Sequence, residues 1–166
     1  TVFPALMPYT TEKSETEYNQ NVYKSNEEKY ILLDQKNFNE SGRKFEICDL
    51  FDREEKTFIH VKRYGSSSVL SHLFSQAAVS ADLFKDGFFH NKILKKMNDE
   101  NSGEKIQTLE SSKCNVVMGI VTNKEIPTSG RSQIPFFSKV NIVRTINQIK
   151  KWGYPNVGIT FIKQII

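Results

Sequence analysis

Three residues in the first half of the chain have the types and the spacing that phosphodiester hydrolysis requires. Asp49 lies near the end of one strand-like segment, and His60 and Lys62 lie two residues apart in the next. Residues two apart on a strand share a face, and a turn at 52–56 would bring Asp49 opposite His60. A carboxylate and an imidazole can bind a divalent ion that activates a water, and an ammonium group can position that water. We therefore predict a metal-dependent hydrolytic site here.

A polar segment with phosphate-binding character follows Lys62. It combines a cation, an aromatic ring and hydroxyl groups just before a predicted helix N-terminus, where backbone N–H groups favour anions. A serine-rich helix cap that needs no ligand is the alternative interpretation. Further along the helix, His72 could reach the same phosphate or be a surface histidine, and Gln76 could hold a phosphate or orient Lys62. The candidate nucleic-acid contacts are Arg63, Tyr64, Ser66, Ser67, Ser68 and His72.

Hydrophobic periodicity predicts the elements that position these residues. Apolar alternation predicts strands, and three-to-four spacing predicts amphipathic helices. The order is helix, three strands, helix, a variable stretch, strand, helix, strand, which predicts an α/β fold with a mixed central sheet flanked by helices. The predicted segments are a helix at 14–26, strands at 29–38, 44–52 and 57–64, helices at 68–84 and 88–97, a strand at 115–122, a loop at 123–135, a helix at 136–152 and a strand at 157–164.

Glu17 has two interpretations that can hold together. Ser14 followed three residues later by Glu17 fits a capping box at the start of the first helix. The resemblance described below implies a second role for the same carboxylate, as a metal ligand with Asp49 and His60. For the ion we expect Mg²⁺ or Mn²⁺, which favour oxygen ligands, with manganese better suited to an imidazole.

Composition narrows the class of protein. A length of 166 residues suits one domain, so we expect 1–166 to form a single domain with an irregular, proline-containing arm at 1–10. Lys and Arg total 23 against 19 for Asp and Glu, a net +4 that suits an anionic partner. No apolar run approaches the roughly 20 residues that cross a bilayer. Cys48 and Cys114 lack metal-ligand spacing, so we expect buried free thiols and a cytoplasmic location.

Asp49, His60 and Lys62 on a hairpin, followed by a helix carrying Gln76, resemble the PD-(D/E)XK nuclease superfamily. That pattern has an aspartate on one strand, an acidic residue and a lysine on the next, a glutamate on the preceding helix and a glutamine on the following one. Glu17, Asp49, Lys62 and Gln76 match those places, and His60 replaces the acidic residue. The resemblance implies a restriction-endonuclease-like core of αβββαβαβ order. It also implies an endonuclease acting on DNA, with Asp49, His60, Lys62 and Gln76 as catalytic residues.

A second resemblance extends over most of the chain. The segments EYN, LLD, ICDL, HVKRYGSSSVLSHLFSQ and PFFSK are similar to a sporadically distributed bacterial family found in defence-type gene neighbourhoods. This implies a role in restriction or phage defence and suggests the carboxy-terminal part of a longer protein, consistent with a chain that begins at Thr1. A homodimer is compatible with cutting both strands of DNA. The alternative is an inactive nuclease-like domain that binds nucleic acid or a partner protein, which His60 in the acidic position favours.

Overall fold

The computed structural model describes residues 3, 6–40, 42–123 and 134–165. Within these ranges the chain forms helices and strands in nearly the predicted order. The elements are α1 (Glu15–Ser25), β1 (Tyr30–Leu32), β2 (Asn37–Glu40), β3 (Arg43–Glu46), β4 (Leu50–Asp52), β5 (Thr57–Arg63), α2 (Ser67–Lys85), α3 (Gly87–Glu100), a 3₁₀ turn (Ser111–Lys113), β6 (Asn115–Thr122), α4 (Phe136–Lys151) and β7 (Asn156–Lys163).

Five strands form a mixed sheet in the order β1-β4-β5-β6-β7. β4 pairs antiparallel with both β1 and β5, whereas β5, β6 and β7 are parallel. The parallel connections pass through α2 and α4, as parallel strands require a crossover. The carboxyl ends of β1, β5, β6 and β7 therefore lie at one edge of the sheet, together with the amino end of β4. We call this the carboxyl edge.

Helices cover both faces of the sheet, which confirms the predicted α/β class. The larger core contains apolar residues of α2, α3 and α4 and one face of the sheet, including Phe58. The smaller core joins Tyr18 and Val22 of α1 to Ile59 and Val61 of β5. Successive residues of β5 thus enter opposite cores, because strand side chains alternate.

The structure also bears on the predictions for the cysteines, the amino-terminal arm, the loop at 123–135 and membrane-spanning segments. Cys48 and Cys114 are buried free thiols, as predicted. Within the predicted arm at 1–10, Tyr9 forms an isolated parallel bridge with Gln164, while residues 1, 2, 4 and 5 lie outside the described ranges. Most of the predicted loop at 123–135 also lies outside them. Among the described helices, not one combines the length and the apolar character needed to cross a bilayer.

The predicted strands at 29–38 and 44–52 are wrong as continuous strands. Each is divided, and the inner halves β2 and β3 pair with each other as a separate two-stranded hairpin. The first break contains Gln35 at φ 58°, a left-handed conformation that an extended strand excludes. Periodicity could not reveal these breaks because the halves on either side keep the same apolar pattern.

His60 is a core residue whose surroundings do not suit a metal ligand. Its side chain is 4% exposed and shares a closely packed space with Phe58, Ala77 and Phe84 beneath α2. Nε2 has no hydrogen-bond partner in the described structure. Burial lowers the pKa of His60 from 6.5 to about 4, because the imidazolium form is poorly solvated there. The ring is therefore neutral at pH 7.

Acid should destabilise the wild-type protein more than a His60→Leu variant. Since the pKa falls on folding from 6.5 to about 4, the unfolded chain binds more protons between these values. Stability present above pH 6.5 is therefore lost as the pH falls towards 4. The wild type should lose about 2 kcal/mol of unfolding free energy between pH 7 and 5 that the variant retains. Urea denaturation at both pH values measures the difference, and exposed His72→Leu serves as the control. Equal pH dependence in wild type and His60→Leu would contradict this account.

Candidate metal centre

Three carboxylates converge at the carboxyl edge of the sheet. Asp34, Glu46 and Asp49 each offer an oxygen, and these three oxygens all lie within 4.8 Å of one another. All three residues are half-buried. Asp34 follows β1, Glu46 ends β3 and Asp49 precedes β4. We call this group the acidic cluster.

The two strand breaks build the acidic cluster. The backbone N–H groups of Leu33 and Asp34 both donate to the carbonyl oxygen of Asp49, each at 2.9 Å. The Asp49 N–H donates in turn to the Ile59 carbonyl at 3.0 Å. The small hairpin leaves the sheet at Asp34 and returns at Glu46, so its base brings both carboxylates beside Asp49.

The Asp49 carboxylate is the most perturbed group of the acidic cluster. Burial raises its pKa from 3.8 to about 8, and the charges of Asp34 and Glu46 raise it further. A 2.6 Å hydrogen bond from the Val61 N–H to Asp49 Oδ2 opposes this effect, as does the nearby Lys62 ammonium. Desolvation of the charged form is the main cause.

The other two carboxylates also lack enough nearby hydrogen-bond donors or positive charge to offset their burial. Burial raises the pKa of Glu46, the charge of Asp34 adds to the rise, and Lys62 and His72 oppose it. The Oδ2 atom of Asp34 is enclosed and has no hydrogen-bond partner in the described structure. Buried oxygens of this kind normally have a donor, so the acidic cluster can accept a cation.

Lys62 is held beside the acidic cluster by α1. Its Nζ atom lies 3.0 Å from Oε2 of Glu15, and both side chains are a little under one-third exposed. The other oxygen of Glu15 accepts from the Arg63 N–H at 2.9 Å. Glu15 therefore fixes the end of β5 as well as the ammonium group.

Two predicted metal ligands lie apart from the acidic cluster. Glu17 meets the predicted capping box in part: its N–H donates to Ser14 Oγ at 3.2 Å, but its carboxylate accepts from the Lys13 N–H at 2.7 Å and not from the Ser14 N–H. The predicted register does place the His60 backbone opposite Asp49, since Leu50 pairs with Ile59. The imidazole nevertheless lies in the core. The physical reason is that α2 covers this part of β5 with apolar side chains.

A shallow groove adjoins the acidic cluster. Its lining joins Glu46 to His72 and Gln76, two residues of α2 predicted to face the site. His72 is exposed, and its proximity to Glu46 is evident from its effect on the pKa of that carboxyl. The remaining lining residues are Lys44, Phe45, Ser75 and Val79.

The predicted phosphate-binding segment contains a helix cap. Ser66 Oγ accepts from the Val69 N–H at 3.5 Å and lies 2.7 Å from Ser68 Oγ, while Ser67 is exposed. The Arg63 guanidinium lies over the Tyr9 ring at 5.3 Å. Tyr64 is half-buried against the larger core. The segment lies at the carboxyl edge because it directly follows β5.

The sequence contains a signal for one of the two carboxylates that were missed. Asp34 directly follows the apolar run at 31–33, and an acidic residue at the end of such a run is a candidate for a site at a sheet edge, whereas Glu46 lies inside the predicted strand at 44–52. Glu15, which contacts Lys62, lies two residues before Glu17. The apolar alternation in 44–52 places Glu46 on the polar, solvent-facing side of the predicted strand, so it gave no reason to group Glu46 with Asp49.

The chain matches the model of a known protein family. A model described as a family of unknown function, DUF6119, matches residues 1–163. The chain belongs to the DUF6119 family. No curated protein and no solved structure matches it.

The donor set of this DUF6119 member suits a hard divalent cation. Three carboxylates would supply only oxygen ligands, which Mg²⁺ and Mn²⁺ prefer. A divalent ion would offset the repulsion that raises the pKa values of Asp49 and Glu46. Asp34, Glu46 and Asp49 are the residues that would hold it.

Removing the charge of Asp49 should stabilise the metal-free protein. Since folding raises its pKa from 3.8 to about 8, the carboxylate opposes folding increasingly as the pH rises through this interval. Asp49→Asn should raise the free energy of unfolding at pH 8.5 by about 1 kcal/mol or more. Denaturation in EDTA measures this. Asp52→Asn is the matched control and should be destabilising, because the amide keeps an acceptor for the Glu54 and Glu55 N–H groups but loses the ion pair with Lys29 at 3.5 Å. Destabilisation by both variants would contradict the prediction.

Manganese binding should tighten with pH and release a proton. Because the pKa of Asp49 is about 8, the metal competes with a proton below that pH. The dissociation constant should fall by nearly tenfold per pH unit between pH 6 and 7.5. Calorimetry in buffers of different ionisation enthalpy measures the affinity and the protons released. Glu17→Gln should bind like the wild type and Asp49→Asn should not; unchanged binding by Asp49→Asn would exclude this site.

Proposed function

We propose that this protein is a metal-dependent nuclease that hydrolyses phosphodiester bonds, with Mg²⁺ or Mn²⁺ held by the acidic cluster. The observation that carries the proposal is the convergence of Asp34, Glu46 and Asp49 beside the Lys62 ammonium. Carboxylates with a neighbouring lysine form a site that can bind a metal ion and stabilise charge on a phosphate. DNA is the expected substrate, and restriction or phage defence the expected setting.

The topology supports the same proposal. A helix is followed by the antiparallel strands β1, β4 and β5, and a helical crossover then leads to the parallel strand β6. This order is similar to the restriction-endonuclease-like core that the sequence predicts, with β2 and β3 as an inserted hairpin. On this proposal, Asp49 and Lys62 take the roles of the aspartate and the lysine of the PD-(D/E)XK pattern. Glu46 at the end of the inserted hairpin and Asp34 just before it would supply the acidic ligands that His60 does not.

The residues of the site divide the chemistry between them. A bound divalent ion would polarise the phosphate and lower the pKa of an attacking water. The Lys62 ammonium, oriented by Glu15 at 3.0 Å, positions that water or stabilises the developing negative charge. The water oxygen bonds to phosphorus, the bond to the leaving oxygen breaks, and the leaving oxygen takes up a proton. Gln76 and His72 line the adjoining groove and can hold the flanking phosphate.

A second candidate function is nucleic-acid binding without cleavage. It is favoured by His60, which leaves no acidic residue at the position that the superfamily uses, and by the ion pair that already engages Lys62. On this hypothesis the acidic cluster binds a structural cation, or none. A cleavage assay separates the two candidates.

Metal-dependent cutting should require the acidic cluster and Lys62. Plasmid and single-stranded DNA are incubated with the protein and Mn²⁺, Mg²⁺ or EDTA, and products are resolved on gels. We expect cleavage with Mn²⁺, none with EDTA, and a loss of at least about 100-fold in Asp49→Asn, Glu46→Gln and Lys62→Met.

Two controls distinguish the acidic cluster from the ligands predicted from sequence. Glu17→Gln and His60→Asn should keep cleavage within a few-fold of the wild type if they fold, because neither side chain belongs to the acidic cluster. Circular dichroism reports folding. Equal cleavage by wild type and Asp49→Asn would identify a contaminating nuclease, and absence of cleavage with retained DNA binding would favour the second candidate.

A further inference from the structure

The charge of the protein is unevenly distributed along the chain. Residues 115–166 contain seven Lys or Arg and one acidic residue, whereas residues 1–114 contain sixteen basic and eighteen acidic residues. Helix α4 lies in the basic part and contains no Asp or Glu. Its four cationic side chains are all exposed: Lys139, Arg144, Lys150 and Lys151. One helix therefore presents a solvent-facing surface of a single charge sign.

The stability of α4 does not account for all of these cations. Lys150 and Lys151 occupy the last turn, where positive charge complements the helix dipole. Lys139 lies near the other end, where positive charge is unfavourable, and Pro135 provides no side-chain cap there. By contrast, α1, α2 and α3 each begin with a side-chain cap. Binding of a negatively charged partner would account for Lys139.

Two aromatic rings begin the same helix and face solvent. Phe136 is 72% exposed and Phe137 is 78% exposed. Their ring centroids lie 5.6 Å apart in an edge-to-face arrangement. Adjacent large apolar side chains at this exposure are unfavourable in water and indicate a contact surface. Aromatic rings beside cations are the combination that binds unpaired bases and their phosphates.

The beginning of α4 lies at the carboxyl edge, as the acidic cluster does. Asn141 Nδ2 of α4 donates to Ser71 Oγ of α2 at 3.4 Å. Both helices run in the same direction, so the first turn of α4, five residues before Asn141, is level with the first turn of α2. On its other side α2 borders the acidic cluster, since His72 lines one groove with Glu46. A nucleic-acid strand that crosses the first turn of α2 would therefore pass from α4 towards the acidic cluster.

We propose that α4 is a binding surface for a single-stranded or locally unpaired nucleic-acid segment. Phe136 and Phe137 stack on bases, and Lys139 and Arg144 contact phosphates. The strand then passes the amino end of α2 towards the acidic cluster. The inference rests on the proposed function for the direction of the strand, and it makes unpaired nucleic acid the preferred substrate of that site.

Binding without metal tests this surface independently of cleavage. Fluorescence anisotropy with a labelled single-stranded 20-mer and its duplex, in EDTA over a range of salt concentrations, gives affinity and salt slope. Phe136→Ala/Phe137→Ala should weaken single-strand binding by at least about tenfold with an unchanged salt slope. Lys139→Gln/Arg144→Gln should lower the slope by about 1.4, since each phosphate contact on a single strand contributes about 0.7.

Matched controls use exposed residues elsewhere on the surface. Lys85→Gln/Lys95→Gln removes the same charge, and Phe88→Ala removes a ring that is 64% exposed; both variants should bind within twofold of the wild type. Equal loss in the control lysine pair, or equal loss for duplex and single strand in the phenylalanine variant, would overturn the proposal. Binding to vesicles containing phosphatidylserine in place of the oligonucleotide would also overturn it.

The two proposals can fail separately. Nucleic-acid binding without cleavage would refute the nuclease proposal alone, whereas cleavage with unaffected binding by the α4 variants would refute the α4 proposal alone.

Discussion

The hydrogen bonds that meet at Asp49 connect the sheet to the site. Its carbonyl oxygen accepts from the backbone at the end of β1, its N–H donates to β5, and its carboxylate accepts from the Val61 N–H. The same residue therefore holds the base of the small hairpin and carries the carboxylate whose pKa burial raises most clearly in the acidic cluster. A change at Asp49 would therefore affect both the fold and the candidate site. The protein retains an ionisable carboxyl group where burial disfavours its charged form, which is characteristic of functional sites.

Acidic and basic side chains occupy separate parts of the carboxyl edge. Acidic groups gather where β1, β3 and β4 have their ends, while α4 presents cations and two exposed phenylalanine rings. A polyanion would be repelled by the acidic cluster alone and attracted by α4. A divalent cation would remove that repulsion where phosphate has to approach. On the proposed function, the two surfaces would act together in binding one nucleic-acid segment.

Glu15 and Glu17 show how neighbouring residues of one type acquire different roles. Both lie in the first turn of α1, where negative charge is favourable near the amino end of a helix dipole. Glu17 turns back to the chain before the helix, and Glu15 reaches the end of β5, where it contacts Lys62 and the Arg63 N–H. Helix geometry separates the two side chains by about 200° around the axis. Only one of them can face the sheet.

The sequence alone determined the elements whose signals are local. The apolar run at 115–122 predicts a buried strand, the three-to-four spacing after Ser66 predicts α2, and Ser14 with Glu17 predicts the cap of α1; each is present. It also singled out Asp49 and Lys62, because their hairpin is short and its register follows from the turn. The α/β class follows from the order of these segments.

Only the tertiary structure decided which carboxylates join Asp49 and where His60 lies. Asp34 and Glu46 are twelve positions apart in sequence and meet because a small hairpin leaves the sheet and returns, a path that depends on the left-handed Gln35 and on hydrogen bonds to Asp49. The His60 ring enters the core because α2 covers that part of β5. Periodicity records which residues share a face of one element. It carries no information about which separate elements will approach that face, since packing energy depends on contacts between distant parts of the chain.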